Sequence, residues 1–66
     1  MENSSFLQVG GIVININHLT SFKVTQKGKT YYLKLFMLDG RGYNISYENV
    51  EHLIYDVKQI ENKMNN

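Results

Sequence analysis

Thr30-Tyr31-Tyr32-Leu33-Lys34-Leu35-Phe36-Met37-Leu38-Asp39-Gly40-Arg41-Gly42-Tyr43-Asn44-Ile45-Ser46 is the stretch that decides the fold. Leu33, Leu35 and Met37 alternate with Tyr32, Lys34 and Phe36, the two-residue period of a strand with unlike faces. Asp39-Gly40 breaks the run. A two-residue loop there would set Leu35 opposite Asn44. A three-residue loop with glycine in the left-handed region instead sets Leu33 and Leu35 opposite Ile45 and Tyr43. Cross-strand partners share a face, so the longer loop keeps apolar side chains together.

Working outward, glycine punctuates the rest of the first two-thirds of the chain. Gly10-Gly11 separates Phe6-Leu7-Gln8-Val9 from Ile12-Val13-Ile14-Asn15-Ile16, which is a two-residue hairpin signal. A loop around Asn17-His18-Leu19 leads into a strand from Thr20 to Gln26. A turn at Lys27-Gly28 opens the longest strand, Thr30 to Leu38, and pairs Val24 with Tyr31 and Phe22 with Leu33. One face then collects Leu7, Val9, Ile12, Ile14, Ile16, Phe22, Val24, Tyr31, Leu33, Leu35, Met37, Tyr43 and Ile45.

After Ser46 the period changes. Val50, Leu53, Ile54, Val57 and Ile60 recur at three- and four-residue steps, forming one apolar stripe of a helix over about 47–62. Ser46 suits the N-cap, Glu48 the first turn, and Ile45 with Val50 a hydrophobic staple. The expectation is a single α+β domain: an antiparallel meander of about five strands with one C-terminal amphipathic helix on one face. Residues 1–5 and 63–66 carry nothing to bury and are expected to fray.

Composition narrows the function. The 66 residues include no Cys, so a disulfide framework, a zinc ribbon and a thiol nucleophile are excluded, and a reducing, cytoplasmic setting is expected. Apolar runs extend only a few residues, too short for a membrane span. A formal charge of +1 gives the chain as a whole no electrostatic footprint for nucleic acid or anionic lipid. Asn, Ile, Lys and Tyr supply 25 residues, while Ala and Pro are missing and Arg occurs once, a usage suited to an A/T-rich genome such as that of a low-GC Gram-positive bacterium or its phage.

Chemistry-bearing groups are few. Glu48, His52 and Asp56 follow one another at four-residue steps, which on a helix makes either a metal or acid–base ladder or a solvated face; Gln59 and Lys63 continue it and favour the face. No catalytic set, metal site or cofactor is expected. Gly40-Arg41-Gly42 puts the one arginine at a hairpin tip, where it and Lys34 are candidates for gripping a phosphate or carboxylate.

The face opposite the core is the more informative one. By parity it carries Phe6, Val13, Tyr32 and Phe36, with Leu38 at its margin, interrupted by Gln8, Lys23 and Lys34. One helix covers one face only, so these side chains meet water in a monomer, and such patches mark contact sites. A short chain without metal or disulfide also gains stability by associating. Phe6, Val13, Tyr32, Lys34 and Phe36 are therefore the expected contacts of a non-enzymatic homo-oligomeric interaction protein with a host or partner protein. Two alternatives use overlapping residues. One is sequestration of a small anionic or nucleotide ligand by Arg41, Lys34 and tyrosines. The other is binding of single-stranded RNA or DNA by Lys23, Tyr32, Lys34 and Phe36.

Strands followed by a C-terminal helix in about sixty residues resemble the architecture of the small RNA-binding carbon-storage regulators, which are intertwined dimers. Their arginine-bearing last strand has no counterpart in Gly42-Tyr43-Asn44-Ile45-Ser46, so no binding residue carries over. In size and composition the chain is also similar to small phage proteins, inhibitors of bacterial defence among them.

Overall fold

A computed structural model describes residues 5–64. Its order is β1 (Phe6–Val9), β2 (Ile12–Asn15), a 3-10 turn (Ile16–His18), β3 (Leu19–Lys27), β4 (Thr30–Met37), β5 (Gly42–Tyr47) and α1 (Val50–Met64). The α+β class and the five antiparallel strands agree with the sequence. The strands fall into two sheets, β1-β2 and β3-β4-β5, and not one continuous meander. The 3-10 turn makes the break: Asn15 caps it by accepting from the Asn17 N–H at 3.0 Å, and the chain leaves it in a new direction.

Two of the three hairpin registers follow the apolar pairing. Leu7 faces Ile14 and Val9 faces Ile12, while Leu33 faces Ile45 and Leu35 faces Tyr43. Leu38-Asp39-Gly40 is the three-residue loop, with Gly40 at φ 91°, closed by the Met37 N–H donating to the Arg41 carbonyl at 2.8 Å. The third register differs by two residues, because the turn is Gly28-Lys29. Val24 pairs with Leu33 and Phe22 with Leu35. A shift of two preserves every side chain's face.

The core consists of Val9, Ile14, Leu19, Leu33, Leu35, Tyr47, Leu53 and Ile60, with Leu7, Ile12, Ile16, Phe22, Tyr31, Met37, Tyr43, Ile45 and Val57 packed around it. Leu19 and Tyr47 join it unexpectedly. Leu19 points inward because the register shifts between it and Ser21, making Thr20 an extra residue whose hydroxyl donates to the Phe36 carbonyl at 2.8 Å. Tyr47 is inward because β5 runs one residue past Ser46 and pairs Tyr47 with Tyr31.

That longer strand moves the helix start. Asn49, not Ser46, is the N-cap: its side chain accepts from the Glu51 N–H at 2.8 Å and its carbonyl from the His52 N–H at 3.1 Å. Glu51 replaces Glu48 in the first turn, and the Ile45–Val50 staple does not form across this boundary. Residues 1–4 and 65–66 lie outside the described residues, but Ser5 accepts from the Ile16 N–H at 2.7 Å and Lys63 belongs to α1.

The hairpin and the helix share the inner face of the three-stranded sheet. Gly10, at the hairpin turn with φ 60°, sits over β5 so closely that a Cβ there would lie 2.6 Å from Ile45 Cγ2. Gly28 has a similar φ of 63° with open space around it. The two positions thus separate backbone strain from steric exclusion. Gly28→Ala should destabilise by about 1–2 kcal/mol from the left-handed φ alone. Gly10→Ala should add about 1–3 kcal/mol for overpacking, measured by urea denaturation of both variants.

Candidate functional site

Pairing of β3, β4 and β5 arranges the outer face of the sheet in rungs. Thr25, Tyr32 and Ser46 form one; Lys23, Lys34 and Asn44 the next; Ser21, Phe36 and Gly42 the third; Lys27 and Thr30 close one end. Tyr32 and Phe36, the outer-face aromatics of β4, are therefore flanked across the sheet by small side chains or by none. Phe36 is 43% exposed although it lies on the central strand. Lys23 and Lys34 face one another directly, an arrangement that costs stability unless an anion lies over it. No Asp or Glu stands on any of these rungs.

The net charge of +1 conceals how charge is distributed. Residues 5–47 hold five Lys and Arg against Asp39 alone, whereas residues 48–64 hold four acids against Lys58 and Lys63. The three-stranded sheet with its turns is basic and the helical segment acidic, so the molecule is electrically polar, with Lys23, Lys27 and Lys34 on the outer face. Whole-chain charge could not show this, because residues 48–64 offset part of the positive charge of residues 5–47.

The other expected contacts divide. Phe6 and Val13 are both exposed but belong to the β1–β2 hairpin, so they do not share a sheet with Tyr32, Lys34 and Phe36. Arg41 at the β4–β5 tip meets Asp39, Nε to Oδ2 at 3.3 Å, and Asp39 Oδ1 also accepts from the Arg41 N–H at 3.0 Å. Both side chains are well exposed, so the ion pair is weak, but it neutralises the tip.

The Glu48-His52-Asp56 ladder is broken by the late helix start, since Glu48 precedes α1. Among the described residues no group of three His, Asp or Glu is placed to hold a metal ion. Asp56 is engaged structurally. Its Oδ2 accepts from the Tyr47 hydroxyl at 2.5 Å and from the Gly10 N–H at 3.1 Å, tying helix, β5 and hairpin turn at one oxygen. An open cleft of about 630 Å³ lies beside this junction, and His52, Tyr55 and Gln59 line it with Gln8. His52 is exposed, and Ser46 lines the same cleft.

No family of known proteins, no curated protein and no solved structure matches the chain. No helix among the described residues is long and apolar enough to cross a membrane.

Burial, and after it the hydrogen bond to Asp56 and that carboxylate's charge, push the Tyr47 phenol well above its ordinary value of 10.0. The folded protein thus keeps a proton that the unfolded chain releases near pH 10, and stability falls as pH rises beyond that point. Tyr47→Phe should lower stability at neutral pH by about 1.5–3 kcal/mol, the usual contribution of a hydrogen bond to a charged group. It should also flatten the alkaline decline, which urea titrations at neutral pH and near pH ~11 would measure.

Proposed function

We propose that the protein is a non-enzymatic binding module that takes single-stranded nucleic acid on the outer face of β3-β4-β5. The observation that carries this is the Lys23–Lys34 pair, set between Tyr32 and Phe36 on a face without acids. Phosphates relieve the repulsion between opposed ammonium groups. Bases stack on rings whose neighbours are too small to block them. Small residues beside the rings and lysines between them are what a stacking platform requires, and a strand of nucleic acid supplies both partners at once.

Self-association through this same face, or its use against a host protein as a phage-encoded inhibitor would use it, draws on the same side chains. Two copies meeting face to face would bring six lysines together with no counter-charge, which opposes the aromatic contact. A foreign protein would have to present an acidic, flat surface. Sequestration of a small anion at Arg41 is weakened by the Asp39 pair.

The test is anisotropy of a labelled fifteen-nucleotide dT strand, roughly the upper site size of one small fold. Binding should fall with salt at a log–log slope of about −1.5 to −2, as for two to three neutralised phosphates. Phe36→Ala and Tyr32→Ala should each weaken it by about 1–3 kcal/mol without changing the fold. A flat salt response, or full binding by Phe36→Ala, would overturn the proposal.

A further inference from the structure

The three-stranded sheet ends at β3, a nine-residue strand whose far edge has no hydrogen-bonded neighbour among the described residues. An open edge offers a row of free N–H and C=O groups to another strand. What lies on either side of this edge states what kind of strand fits.

On the inner side the sheet is incompletely covered. Val24 is 46% exposed, Val50 39% and Ile54 46%, although all three belong to the apolar face of the strand or the apolar stripe of the helix. They line an open groove of about 540 Å³, together with Tyr31, Leu53 and Val57, that reaches the edge at Val24-Thr25-Gln26. Lys58 and Glu61 on its helix rim offset one another. On the outer side the edge carries Lys23 and Lys27, and no acid stands on their rungs.

A strand sends alternate side chains to opposite faces. One that pairs with β3 would put alternate side chains on the groove side, those opposite Val24 to Gln26 reaching the groove, and the others on the side of the two lysines. We propose that the β3 edge captures an extended segment of another protein, alternating apolar with acidic residues, by strand addition. Main-chain hydrogen bonds would supply affinity, and the groove and lysines would supply selectivity. Charge decides the occupant. A second copy pairing β3 with β3 would add its own Lys23 and Lys27 to the same face, whereas an acidic segment neutralises them.

The probe is a blocked, labelled ten-residue peptide of alternating Val and Glu, titrated into the whole protein by anisotropy with amide chemical shifts recorded in parallel. Binding should shift β3 amides and fall with salt. Methylating alternate peptide nitrogens should abolish it, since those donors make the ladder. Ile54→Lys, at an exposed position, should weaken it at least tenfold while leaving oligonucleotide binding unchanged. Phe36→Ala should do the reverse, so failure here is distinguishable from failure of the nucleic-acid proposal. The charge-reversed pair Lys23→Glu with Lys27→Glu should prefer an alternating Val and Lys peptide, a switch that a purely structural role would not produce. Equal binding of the methylated probe, no binding by the parent, or a concentration-dependent dimer that Ile54→Lys dissolves would each overturn the inference.

Discussion

The close approach of Gly10 to Ile45 is the constraint on which the rest of the structure depends. A two-stranded hairpin is marginal in water and persists only if its apolar face is pressed against something else. Here the turn itself reaches β5, because Gly10 has no Cβ to meet Ile45 and can adopt φ 60° without penalty. Its N–H then donates to Asp56, which also receives the Tyr47 hydroxyl. One carboxylate oxygen therefore registers hairpin, sheet and helix against each other, and Val9 and Ile14 are carried into the core with them.

Placing the hairpin over β5 has a consequence on the opposite side of the sheet. The inner face must accommodate both hairpin and helix, and with the hairpin at β5 and the helix across the middle, β3 is left half covered. The exposure of Val24, Val50 and Ile54 is the result. Among the described residues nothing folds over the outer face, which leaves the lysines of β3 and β4 facing water. The molecule thus has two uncovered surfaces that meet along β3, one basic and aromatic, the other apolar. Lys23 belongs to the margin of both.

Much of this was legible in the sequence. The alternation in β4 and β5 identified the strand faces, and matching apolar partners identified two of three registers. The third slipped by two residues because apolar matching is satisfied equally by either turn; Gly28 at the first turn position, with its positive φ, selects Gly28-Lys29. Thr20 shows the harder case. An extra residue reverses the parity of everything before it, so Leu19 reads as loop although it is buried. Ser46 and Asn49 are both good caps by residue type, and only the burial of Tyr47 decides that the strand continues past Ser46. Of the candidate contacts, Tyr32, Lys34 and Phe36 were identifiable from parity on one strand. Phe6 and Val13 were not separable from them, because parity says nothing about which sheet a strand enters.

By itself the sequence determined the elements, the class and the faces: glycine positions and the change from a two-residue to a 3.6-residue period are local properties, set by backbone sterics and side-chain direction. Only the tertiary structure decided that the inner side of β3 also stays partly open, and which charges stand beside the open surfaces. The opposition of Lys23 and Lys34, the role of Asp56 and the groove beside β3 all arise between residues distant in the chain. Spatial neighbours across a sheet or between layers follow from packing a limited set of apolar faces together, and no periodicity along the chain encodes which edge of a sheet is left uncovered.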